Sequence, residues 1–315
     1  MASAAAPNEP VWTAAAMEAR VVRYADLRPC YNAFVDTRSP GSEAKENFTI
    51  IGPGVSENPD QYVHITEPHG FNIGGARQPP GCVNSQHSHD TAEVFVVHTG
   101  DWNFNLGETG EELQVRCSPG DVISLPTGMF RGFTNVGTDV GYLFAVLGKD
   151  DPGRVTWAPY VFDMAKDYGL VLLENGTLVD TAAGQPIPAN VPPMPRTSEE
   201  QVAVMLLPTA EEAEALVWRN LPSDSTRETP IIGPAAPLFA DNDIRLSRLD
   251  LASGASFDIG IAQSPEVLFV HAGAAELEWA DGRIVLGVGD TITVPIGLPH
   301  RIKSTDGAIL YKVGG

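Results

Sequence analysis

An internal repeat constrains this chain more than any other feature. Glu93-Val-Phe-Val-Val-His-Thr-Gly100 is matched in spacing and character by Glu266-Val-Leu-Phe-Val-His-Ala-Gly273. Further on, Gly120-Asp-Val-Ile-Ser-Leu-Pro126-Thr-Gly128 is matched by Gly289-Asp-Thr-Ile-Thr-Val-Pro295-Ile-Gly297. The two blocks occur in the same order with a similar gap, as expected when one supersecondary unit is present twice. Each block is a β-branched or aromatic run closed by Gly or Pro, which is the composition of short strands joined by turns. The fold class read from this pattern is all-β, with two like barrels.

The same reasoning sets the expected organisation. Residues 1–47 form an N-terminal arm, 48–159 a first β-domain, 160–230 a helix and Pro-rich linker, and 231–315 a second β-domain. Strands are predicted at 62–66, 92–98, 113–117 and 141–147 in the first domain. In the second they are predicted at 244–249, 267–271, 291–294 and 309–313. Between the two domains, 160–170 reads as a short amphipathic helix and 182–196, with five prolines, as an extended linker. Residues 210–220 read as a helix with acidic residues at its N-terminal end and Thr209 as its cap.

Composition narrows the function classes. The net charge of −20 over 315 residues argues against nucleic acid, whose phosphates need a basic stripe, and against an anionic membrane surface. No stretch reaches the apolar length of a membrane span, and residues 1–10 lack the charge and apolar core of a signal peptide. Three cysteines (Cys30, Cys82 and Cys117) are an odd number in a long chain. They read as buried small hydrophobes in a cytoplasmic protein.

The chemistry concentrates in Gly81-Cys-Val-Asn-Ser-Gln-His87-Ser-His89-Asp-Thr-Ala-Glu93. His87 and His89 alternate along a strand, so both imidazoles face one side. Glu93 follows after a short turn that can return its carboxylate to the same spot. Two imidazoles and a carboxylate make a facial set for a divalent first-row metal, with open positions left for water, dioxygen or substrate.

This block resembles the first motif of the cupin superfamily, Gly-x5-His-x-His-x3-Glu-x6-Gly, at every defined position. Gly120-x5-Pro126-x-Gly128-x2-Arg131-x3-Asn135 resembles the second motif with one departure: cupins usually carry a fourth-ligand histidine where this chain has Arg131. The fold implied is a bicupin of two jelly-roll barrels. In the second copy His300 and Glu266 are present, but Gly260 and Ala262 stand at the positions of the histidine pair, so that barrel is expected to be structural. Arg131 leaves three readings open. It serves as a catalytic and substrate-binding cation beside a metal held by His87, His89 and Glu93; or it pairs with Glu93 in a metal-free site; or it points outward.

The activity the resemblance implies is that of a mononuclear cupin dioxygenase, an oxidoreductase acting on a small anionic or enolisable molecule. Fe(II) is the expected ion, with Mn, Ni or Zn as substitutes. The alternatives are a non-redox lyase, hydrolase or isomerase, and a metal-free small-molecule-binding cupin. The partner is a small-molecule substrate, with a homodimer expected from exposed barrel edges and the N-terminal arm. His98 and His271 lie an odd number of residues from the glutamates and are expected on the opposite strand face. His64 and His69 could reach the barrel mouth in place of the missing ligand, although a hydrogen-bonded structural role is the commoner one. Phe71, Asn72, Gln78, Trp102, Phe104, Phe130 and Phe133 are candidate pocket or core residues.

Overall fold

The structure is a computed structural model that describes residues 11–314. The expectation that no signal peptide occupies residues 1–10 lies outside the described residues. The chain divides into two compact units. The larger comprises 25–222 with 229–247, and the smaller comprises 11–24, 223–228 and 248–312.

In the larger unit two sheets enclose the core, antiparallel except where Val63–Ile65 pairs in parallel with Glu46–Ile51. One has five strands in the order Val155–Trp157, Val83–His89, Arg131–Asn135, Trp102–Leu106 and Leu113–Cys117. The other has seven, in the order Val217–Trp218, Val122–Leu125, Glu93–Thr99, Gly141–Gly148, Phe71–Gln78, Glu46–Ile51 and Val63–Ile65. Alternation along each strand decides what faces inward. Phe95 and Val97 from the seven-stranded sheet meet Phe104 and Phe133 from the other in one apolar cluster. Phe133 packs edge-on against Phe95 at 5.3 Å and against Trp102 at 5.7 Å, so these aromatic rings fill the core.

The smaller unit repeats the plan. A four-stranded sheet runs Ser256–Ile261, Pro299–Lys303, Ala275–Trp279 and Gly282–Leu286. A second sheet includes Val21–Val22, Thr291–Val294 and Glu266–Gly273, so the end of the N-terminal stretch adds an edge strand here. The histidines at the repeated position behave alike in the two units. His98 packs edge-on against Tyr142 at 5.9 Å, and His271 does the same against Tyr311 at 5.5 Å.

The connecting region holds more than its sequence reading gives: a hairpin of Leu170–Leu172 with Leu178–Asp180 and a helix at Glu199–Ala203 accompany the two expected helices. The first expected helix runs Pro159–Asp167, starting one residue before the expected 160–170 and ending three residues short of it. Thr209 caps the second, its hydroxyl accepting from the Glu212 amide, but that helix ends at Glu214. Val217 and Trp218 then pair with Ile123 and Val122 as an edge strand. Val217 joins the apolar core there, and burying a β-branched side chain outweighs the strong helix propensity of Ala215 and Leu216 just before it.

Candidate metal centre

Register brings the site together. His87 stands opposite Arg131 on one neighbouring strand and Trp157 on the other, so all three side chains share the inner face of the five-stranded sheet. His89 lies one pleat along, opposite Val155. Glu93 opens its strand in the facing sheet, between Leu125 and Leu147. The donor atoms of His87, His89 and Glu93 all lie within 4.8 Å of one another, and the three residues are buried.

Each ligand has a defined electronic state. The Nδ1–H of His87 donates to the Ser85 carbonyl at 2.7 Å, which leaves Nε2 as a lone pair. Burial first, and the charge of Arg131 second, push the His87 pKa down to about 3. The same two causes hold His89 well below the ordinary histidine range. Both rings are therefore neutral, the form that binds a metal. His89 Nδ1 is buried with no hydrogen-bond partner among the described residues. A donor set of two neutral imidazoles and a carboxylate, one imidazole with an orphaned nitrogen, fits a divalent ion.

Arg131 has no solvent exposure. Its Nε and Nη2 donate to Glu93 Oε2 at 3.3 and 3.1 Å, and Nη1 donates to the Met129 carbonyl at 3.4 Å. His89 Nε2 approaches the same Oε2 at 3.4 Å. Burial raises the Glu93 pKa while Arg131 pulls against it. The outward orientation is thus excluded for Arg131. The pairing with Glu93 is the arrangement observed, and Arg131 is not among the residues lining the cavity.

A cavity of about 70 Å³ opens on the three ligands. It exists because Gly74, Ala76 and Ala145 place almost no bulk on the inner face of the seven-stranded sheet. Trp157 walls one side, its ring 5.3 Å from that of His87. Two supports behind the site gave no sequence signal. Asp36 accepts from the Ser85 amide at 2.9 Å and is ion-paired with Lys45, both fully buried. Glu57 accepts from Trp157 Nε1 at 2.6 Å and from the Val35 amide at 2.6 Å. Asp36 therefore holds the backbone of Ser85, whose carbonyl orients His87, and Glu57 fixes the tryptophan beside it.

The other histidines are not part of the cluster. His64 Nε2 accepts from the Arg28 amide at 3.3 Å, and His69 Nδ1 bonds the Glu67 carbonyl at 2.6 Å. In the smaller unit His300 Nε2 meets Glu266 Oε1 at 3.1 Å, and His300 Nδ1 bonds the Leu298 carbonyl at 3.0 Å. Gly260 there has φ +94°, a conformation a histidine would adopt only under strain. That pair is closed on itself.

No protein-family model matches the chain. It is 35% identical over 88 residues to germin-like protein subfamily 1 member 7 of Arabidopsis thaliana, a stretch covering 26% of this chain and 38% of that protein. Its structure resembles oxalate decarboxylase from Bacillus subtilis with a TM-score of 0.53 and 10% identity, over 94% of this chain and 75% of that one. It also resembles vicilin from Capsicum annuum, with a TM-score of 0.55 and 15% identity, over 94% and 85% of the two chains. The chain has the bicupin fold. At these identities the likeness carries the architecture and leaves the chemistry of the bicupin to its own residues. Those residues place the candidate metal centre in the first barrel. All three cysteines are free and buried, and among the described residues no helix is long and apolar enough to cross a membrane.

Proposed function

We propose that this bicupin is a mononuclear divalent-metal enzyme of the dioxygenase type, acting on a small anionic or enolisable organic molecule. The observation that carries the reading is the convergence of His87, His89 and Glu93 within 4.8 Å at a buried cavity, with both imidazoles neutral. Fe(II) is the expected ion, with Mn, Ni or Zn as substitutes. When bound, the metal supplies open coordination positions and one-electron exchange.

The chain's own groups do the rest. Ser85 holds the His87 ring in the tautomer that offers Nε2. Arg131 fixes the Glu93 carboxylate through Oε2 and opposes the rise in its pKa that burial causes, which makes Arg131 a positioning residue. Because Glu93 and Arg131 cancel in charge, a divalent ion here leaves uncompensated positive charge in a buried space. An anionic substrate relieves that charge, so the electrostatics favour a carboxylate or enolate. The cavity, about 70 Å³, suits a small organic substrate.

Two further readings have specific support. The likeness to oxalate decarboxylase favours a non-redox lyase on a small carboxylate. The Arg131–Glu93 pair favours a metal-free binding protein. Elemental analysis of protein purified without added metal separates them from the first. One transition-metal ion per chain is expected, falling to background in His87→Ala/His89→Ala. Oxygen consumption with small carboxylates and enols then divides oxygenase from lyase. Absence of any transition metal in the wild type sinks both enzymatic readings. Light scattering tests the proposed homodimer.

A further inference from the structure

The cavity that holds the three ligands also carries polar groups that the metal reading does not use. Asn47 and Thr49 sit two residues apart on the strand Glu46–Ile51, paired with Ala76 and Gly74, and both line the cavity. Asn47 is more than nine-tenths buried, yet its Nδ2 has no hydrogen-bond partner among the described residues. Gln61, from the loop that follows, also lines the cavity. Its Nε2 is committed to Thr49 Oγ1, and its Oε1 is buried without a partner. An unsatisfied buried donor or acceptor costs about 1–3 kcal/mol. Two of them on the wall of one cavity point to a ligand that satisfies both.

We infer that Asn47 and Gln61 form a recognition subsite for short hydroxycarboxylates. The Asn47 N–H donates to a carboxylate oxygen, and Gln61 Oε1 accepts from the substrate's hydroxyl. The inference rests on the enzymatic reading only for the orientation of the substrate toward His87, His89 and Glu93. An acid without a hydroxyl leaves Gln61 Oε1 unmatched, so the site discriminates by what it leaves unpaired.

Calorimetric titration of glycolate and acetate into the full chain, with and without bound Mn(II), tests this. Wild type is expected to bind glycolate on the order of tenfold more tightly than acetate. Gln61→Met removes that preference by weakening glycolate alone. Asn47→Leu weakens both acids about tenfold while leaving Mn(II) uptake and the circular dichroism spectrum unchanged. Gln61 is half-buried in a loop, so its variant keeps the test decisive if Asn47→Leu misfolds. Equal affinities in wild type and both variants overturn the subsite while leaving the metal reading standing. A glycolate preference lost on substitution, in protein that takes up no Mn(II), keeps the subsite and removes the metal reading. No binding of either acid under any condition overturns the subsite.

Discussion

Arg131→Leu is expected to destabilise the metal-free protein by about 3–5 kcal/mol, and a divalent metal is expected to restore most of that loss. The reasoning begins with burial. Arg131 has no exposure and Glu93 is nearly as enclosed, so each is the other's compensation for leaving water. Leucine fills comparable space but leaves the Glu93 carboxylate with only the 3.4 Å approach of a neutral His89. The wild type thus carries a resident cation that holds the site in shape without metal. The variant has to recruit a proton or an ion instead. Denaturant midpoints with EDTA and with Mn(II) measure the difference. The gap between the two conditions is expected to be several-fold wider in Arg131→Leu than in wild type. Equal gaps in the two proteins would show that metal and arginine do not share the Glu93 carboxylate, and the candidate centre would lose its basis.

The two barrels were legible because a repeated block with Gly and Pro at fixed offsets leaves few alternatives. The strands Leu113–Cys117 and Thr291–Val294 run where the alternation places them. His87 and His89 were legible for the same reason, since a spacing of two on a strand fixes a shared face. The role of Arg131 was not. Sequence left three readings open, a pair with Glu93 among them, and choosing between them depends on which carboxylate the facing sheet presents, a tertiary fact. Asp36, Lys45, Glu57 and Gln61 lie outside both motifs, in stretches whose contacts with the barrel are long-range. One faint signal existed for Asn47 and Thr49. They flank Phe48 at alternate positions of the strand Glu46–Ile51, so both fall on the face opposite Phe48, and polar residues on an inward face depart from core patterning.

Glu57 is expected to give this protein a large pH dependence of stability. Its carboxyl is buried, and desolvation outweighs the hydrogen bonds from Trp157 and Val35, lifting its pKa from the ordinary 4.5 to about 8. In the unfolded chain the group ionises near pH 4.5, whereas the folded protein retains the proton up to about pH 8. The folded state therefore binds more protons across that window, and stability falls as pH rises through it, levelling off above pH 8. A shift of this size corresponds to roughly 5 kcal/mol between the two ends. Glu57→Gln removes the ionisation. It keeps a carbonyl acceptor for the Trp157 N–H and loses the one for the Val35 amide, a cost of about 1–3 kcal/mol that does not vary with pH. Urea midpoints measured from pH 5 to pH 8.5 separate the two contributions. The wild type is expected to lose stability steadily over the range, and Glu57→Gln to start lower and stay nearly level. Parallel slopes in the two proteins would mean that Glu57 is ionised throughout, held by its two N–H donors. Because Glu57 anchors the tryptophan that walls the cavity beside His87, the same titration is expected to loosen Trp157. A change in its fluorescence that follows the wild-type slope and is absent in Glu57→Gln is the local signature.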